Sequence, residues 1–125
     1  MEYDIKVEPD GRFFTVTTTG PGSAEGIIAF LDAIVSHASW QPGNTILLDH
    51  RKLDIANITV EGIDRVSHHF QKIGPQLGGG KIALVMKKDI DFGIARAWEL
   101  TTDAHVDMQI GVYRSIDEAR MWLHQ

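Results

Sequence analysis

Residues 45–86, TILLDHRKLDIANITVEGIDRVSHHFQKIGPQLGGGKIALVM, decide the fold. The stretch opens on the apolar run Ile46-Leu47-Leu48 and closes on Ile82-Ala83-Leu84-Val85-Met86. Short runs of this kind, with no alternating polar face, suit strands covered on both sides. Between them Ile63, Val66, Phe70, Ile73 and Leu77 recur at helical steps. Thr59 stands before that helix as an N-cap, where a hydroxyl accepts from a free backbone N–H, and Gly78-Gly79-Gly80 terminates it. Strand, helix, strand in this order is a crossover unit, which returns the chain in its starting direction and pairs its strands in parallel.

Toward the N-terminus, Tyr3 to Glu8 and Arg12 to Thr19 alternate apolar and polar residues around Asp10-Gly11, a hairpin signal. Gly20-Pro21-Gly22 breaks the second strand, and Ser23 caps a helix over Ala24 to Ser39 in which Ile27, Leu31, Ile34 or Val35, and Ala38 recur at helical steps. The strand from Thr45 is expected to stop at Asp49-His50-Arg51, and the strand from Lys81 at Lys87-Lys88-Asp89. A third helix is expected from about Ile90 to Ala104, with Phe92, Ala95 and Trp98 inward, followed by a strand from Val106 to Tyr113. Ser115-Ile116-Asp117-Glu118 is a capping box for a last helix that packs Ile116, Ala119, Trp122 and Leu123. The expectation is one α/β domain over residues 1–125: a layered, mostly parallel five-stranded sheet with an N-terminal hairpin and four helices.

Composition narrows the function classes. The 125 residues include 12 Lys plus Arg against 17 Asp plus Glu, a net charge of −5, and 43% are hydrophobic. That acidic balance argues against a nucleic-acid binder, which needs a basic face. With no cysteine there is no disulfide, thiolate metal site or catalytic thiol, and a cytoplasmic location is the default expectation. Met1-Glu2-Tyr3-Asp4 has no apolar run behind it, so neither a signal peptide nor a membrane span is expected there.

Catalytic signatures fail in turn. Gly78-Gly79-Gly80-Lys81 resembles the end of a phosphate loop, but Pro75 and Ile82 occupy positions that need glycine and a hydroxyl, and it leads from helix to strand. Ser23 lacks the glycines of a nucleophile elbow. Asp89-Ile90-Asp91 follows a strand as a phosphotransfer pair would, yet helix capping explains it better. His68 and His69 are adjacent and point to different faces, so no metal set forms. No catalytic residue, metal or cofactor is therefore expected, and Asp49 with His50 is the one pair suited to acid–base work.

One binding constellation remains. Parallel strands would bring Arg51, Lys52, Lys87, Lys88 and Arg114 to a common carboxyl edge, beside helix starts near Thr59, Ile90 and Ser115 whose unpaired donors carry partial positive charge. Ligands of open α/β sheets favour that edge, and Arg96 is within reach of it. Against this stands a solvated surface in which Asp49 pairs with Arg51 or Arg96. Phe92, Trp98 and Trp122 fit core anchors by their spacing, while Ile94 and Leu100 are candidates for a dimer face.

Residues 45–53 (TILLDHRKL), 81–87 (KIALVMK), 91–98 (DFGIARAW) and 112–123 (VYRSIDEARMWL) resemble the STAS-like, anti-sigma-factor-antagonist-like (SpoIIAA-like) family of small bacterial proteins. The resemblance spans nearly the whole chain. It implies a single α/β domain, reminiscent also of lipid-transfer folds, acting as a non-enzymatic binding or regulatory module. Anti-sigma-factor antagonists carry Asp-Ser-Ser-Gly where this chain has Asn57-Ile58-Thr59-Val60, so the phosphoserine switch is missing and Thr59 is the one hydroxyl left as a phosphosite. The leading expectation is a small anionic or lipid-like ligand at the carboxyl edge, contacted by Asp49, Arg51, Lys88, Phe92 and Arg96. The alternative is a protein-interaction and homodimerisation module using the faces around Thr59 to Phe70 and Ile90 to Leu100, with no small ligand.

Overall fold

The computed structural model describes residues 1–102 and 105–125. Strands β1 (Glu2–Val7), β2 (Phe13–Pro21), β3 (Thr45–Asp54), β4 (Lys81–Val85) and β5 (Gln109–Tyr113) form one sheet in sequential order. β1 and β2 pair antiparallel, with Gly11 at φ +72° in their connection, and every later pair is parallel. The hairpin and the crossover reading of residues 45–86 both stand.

Helices α1 (Ala24–Val35), α2 (Val60–Lys72), α3 (Gly74–Leu77), α4 (Asp89–Thr102) and α5 (Ile116–Leu123) connect the strands. The hydroxyls of Ser23, Thr59 and Ser115 each accept from the backbone N–H three residues on, at 3.0, 3.0 and 3.3 Å. The described residues hold five helices where four are expected, because the second predicted helix is split. Pro75 has no N–H to donate and crowds the preceding turn, so α2 ends at Lys72 and a fresh single turn begins at Gly74. The first helix ends at Val35, short of Ser39, and the last strand begins at Gln109, later than Val106. Ala104, the expected end of the third helix, lies outside the described residues.

The main correction concerns β3. It does not stop at Asp49-His50-Arg51 but runs on to Asp54 beside β2. Its register moves from Thr17↔Asp49 to Thr19↔Lys52, so β3 carries one extra residue opposite Thr18. A bulge of this kind shifts side-chain alternation by one position. Ile46, Leu48 and His50 face α1, α2 and α4, and after the bulge Leu53 and Ile55 take over that face.

The sheet therefore has two covered faces. Phe14, Val16, Ile46, Leu48, Ile82 and Leu84 pack beneath Phe30, Leu31, Ile34 and Phe70 of α1 and α2. On the other face Phe13, Leu47, Ala83 and Val85 meet Ala119 and Leu123 of α5. Burial of each large side chain contributes roughly 1.5–3 kcal/mol, so the thicker α1–α2–α4 layer holds most of the apolar stabilisation. The glycine run before β4 is set by a close approach: a Cβ on Gly80 would lie 2.5 Å from Gly43 O and 2.6 Å from Asn44 O.

Candidate functional site: an apolar cavity under the carboxyl edge

Because β3, β4 and β5 are parallel, Arg51, Lys88 and Arg114 do share one edge of the sheet. The arginines there already have partners. Arg51 donates to Asp49 through Nε and Nη2, both at 2.9 Å, and through its backbone N at 3.2 Å. Burial pushes the Asp49 carboxyl up, but the hydrogen bonds from Arg51 outweigh it and hold the group below its ordinary value. Arg96 pairs with Glu99 one turn along α4, and Arg114 pairs with Asp89 while its guanidinium carbon sits 4.8 Å from the Phe92 ring centroid. Lys52, Lys87 and Lys88 are exposed. Phe92 is thus an aromatic platform for Arg114 at this edge, and Thr59 Oγ1 is engaged as the α2 cap.

Asp49 and His50 alternate onto opposite faces of β3. They form no hydrogen-bonded acid–base pair: Asp49 is held by Arg51, and His50 turns into the core. His50 is only 4% exposed. Its Nδ1 lies 2.6 Å from Thr18 Oγ1, and its ring tilts against Phe30 with centroids 5.8 Å apart. Burial presses the imidazole pKa down to about 4, the charge of Asp49 opposing only in part. His50 is therefore neutral at pH 7.

Beside His50 lies a cavity of about 70 Å³. A single water needs roughly 10–15 Å³, and an engineered apolar cavity of about 150 Å³ holds benzene. The space suits a few carbon atoms. Phe30, Leu48, Phe70, Leu84 and Met86 form its buried walls, while Ile58, Ile63 and Ile94 are half-buried around it. Trp98 of α4 also lines it, crossing Phe70 edge-to-face at 5.3 Å, and its indole N–H is enclosed without a hydrogen-bond partner. No Asp, Glu, Lys or Arg is among the lining residues.

Next to this region, at the start of α4, is a second buried polar group. Asp91 is 2% exposed, and its Oδ1 has no partner. Burial raises its pKa; Lys88 works against that shift and Asp54 adds to it. Among the described residues no group of three or more His, Asp or Glu is placed to hold a metal ion, and no helix is long and apolar enough to cross a membrane.

No protein-family model matches the chain, and no curated protein does. Among solved structures, an uncharacterised protein of the DUF3478 family from Shewanella loihica PV-4, described as having a SpoIIAA-like fold, aligns with a TM-score of 0.63. The alignment covers 98% of this chain and 92% of that one, at 14% identity. The chain has a SpoIIAA-like fold. At that identity the likeness concerns the fold alone, so the residues around the cavity carry the functional argument. On this SpoIIAA-like frame the ordered sheet brings together Ile27, His50, Ile63 and Trp98, which no sequence motif links. Their one signal is periodicity: each is an inward position of its helix or strand, as Ile63 and Trp98 are by helical spacing.

Proposed function

We propose that this chain is a non-enzymatic binding module that takes the apolar part of a small lipid-like ligand between α2, α4 and the β3–β4 segment of the sheet. The observation that supports this most is the charge-free cavity of about 70 Å³ beneath the carboxyl edge, with half-buried Ile58, Ile63 and Ile94 around it. Sites of this kind are concave, mainly apolar and supplied with few polar groups. The lipid-like half of the expectation is favoured over the anionic half, since Arg51 and Arg96 are neutralised by Asp49 and Glu99. Lys87 and Lys88, exposed just after β4, remain for a head group outside the cavity.

Native mass spectrometry of freshly purified protein is expected to show a co-purified small amphiphile. In its absence, titration with 1-hexanol should shift the methyl resonances of Ile58, Ile63 and Ile94 selectively. A clean spectrum together with unmoved methyls rejects the reading. The protein-interaction use of α4 keeps one observation in its favour: Ile90 and Leu100 are 60% and 70% exposed. A concentration-dependent dimer in the same mass spectra, lost in Leu100→Ser, would support that reading instead.

A further inference from the structure

We infer that the cavity selects a guest whose buried segment carries an uncharged acceptor oxygen, such as a carbonyl, on an otherwise apolar chain, and that the Trp98 indole N–H reads that oxygen. This deepens the binding role proposed above and rests on it.

Trp98 borders the cavity from α4, and its Nε1 is enclosed with no hydrogen-bond partner. Buried donors are almost always paired, because an unmade bond forfeits the one that water supplies in the unfolded chain. The same fold does pair the buried indole of Trp40, whose Nε1–H donates to the Gln76 carbonyl at 2.8 Å. The exception is the indole that borders a void. An indole nitrogen can only donate, so what it lacks is an acceptor. Among the other lining side chains only His50 bears a nitrogen or oxygen, and that ring is engaged by Thr18 at 2.6 Å. The missing acceptor therefore has to come from what enters.

The rest of the lining sets what kind of acceptor that is. A buried water usually makes about three hydrogen bonds, and these apolar walls supply too few, whereas a carbonyl oxygen is satisfied by one while its carbon chain fills the space. An alkane would fit the walls and leave the indole N–H unmet. No Asp, Glu, Lys or Arg lines the cavity, and burial keeps His50 neutral at pH 7. A carboxylate drawn to the indole would thus be stripped of water with no countercharge beside it. Edge-to-face packing on Phe70, with centroids 5.3 Å apart and planes at 88°, holds the indole in one orientation, so the guest meets a fixed donor.

The test titrates three small probes, 2-pentanone, pentane and pentanoate, at pH 7 into the wild-type protein and into Trp98→Phe. Affinities are read from the Ile58 and Ile94 methyls, and the indole N–H cross-peaks are followed in parallel, with Trp40 as the already bonded control. The expected result is a Trp98 indole proton moved downfield by pentanone and not by pentane or pentanoate, while that of Trp40 stays in place. In Trp98→Phe the ketone-to-alkane affinity ratio falls roughly fivefold or more, as for a buried donor that loses its bond; the ratio cancels the added volume, which both probes feel. A Trp98 proton unmoved by bound ketone, a downfield shift with pentanoate equal to the ketone's, or an unchanged ratio overturns the inference. If pentane binds while these signatures are missing, the binding role stands and only the selectivity falls; if none of the three binds, both fall. Should Trp98→Phe not fold, the indole shifts across the probe series in the wild-type protein decide alone.

Discussion

Thr18 and His50 meet inside the core at 2.6 Å, on adjacent parallel strands, at the one place where β3 carries an extra residue relative to β2. The bulge and the hydrogen bond depend on each other. Without the register change, residues beyond His50 would keep the earlier alternation and Leu53 and Ile55 would face away from the α2–α4 layer. With it, His50 is the last polar member of the inward row, and Leu53 and Ile55 resume the apolar face. The same distortion that completes this wall of the core leaves a neutral imidazole beside the cavity.

Removing the threonine hydroxyl isolates the histidine. Thr18→Val keeps the side chain's shape and its place in β2, but strands His50 Nδ1 in a site that water does not reach. An unsatisfied buried polar group costs about 1–3 kcal/mol, and the variant is expected to lose that much stability in urea unfolding at pH 7. A midpoint equal to the wild type's would show that the contact contributes nothing.

His50 also makes stability pH-dependent. Its folded pKa of about 4 lies below the unfolded 6.5, so on acidification the unfolded chain takes up the proton first. The histidine's contribution is complete above about pH 6.5 and is lost as pH falls toward 4, a change of about 3 kcal/mol at roughly 1.4 kcal/mol per unit. The carboxyl of Asp49, held low by Arg51, weakens the fold only below its ordinary 3.8, so the two windows separate. Urea midpoints measured from pH 7 to 4.5 should fall steadily in the wild type and much less in His50→Phe.

The crossover architecture was legible in residues 45–86 because unbroken apolar runs and helical spacing are local properties, and Ser23, Thr59 and Ser115 announce helix starts through side chains that act three residues away. The continuation of β3 was not legible. Asp49-His50-Arg51-Lys52 has the polarity of a strand end, and only β2 alongside, running to Pro21, makes it a strand. The shared carboxyl edge followed from topology, whereas its electrostatics depended on rotamers: Asp49 reaches Arg51 two residues on, and Arg96 reaches Glu99 three on. The cavity had no signature at all. Periodicity tells which side chains face inward, not whether Phe30, Leu84 and Trp98 fill the space they enclose.

Asp91 gives a stabilising substitution. Its carboxyl is 2% exposed, with Oδ1 unpartnered and its pKa raised by burial. A raised folded pKa means that the folded state holds the proton more tightly, so its contribution is present at low pH and lost as pH rises through the folded value. Asp91→Asn removes the charge with little change in shape. The variant should gain on the order of 1 kcal/mol at pH 7, with the gain shrinking as pH falls from the raised folded value toward 3.8, the ordinary value for Asp, and absent below it. A loss at pH 7 would mean that the ionised carboxylate makes a necessary contact at the start of α4.

Filling the cavity should separate stability from binding. Ala95 of α4 is 3% exposed and lines the space, so Ala95→Leu adds three carbons to about 70 Å³ that is otherwise without protein atoms. Large-to-small core changes lose about 24 cal/mol for each Å³ of void they create. Filling part of this void reverses that loss, less the strain of seating the new side chain beside Trp98. The expected stability change is a gain of up to about 1 kcal/mol. The same three carbons occupy the volume a guest requires, so affinity for 1-hexanol should drop more than tenfold. Opposite signs in the two measurements mark a cavity kept for a ligand at the expense of stability. A variant that is both more stable and equally able to bind would place the guest somewhere other than between α2 and α4.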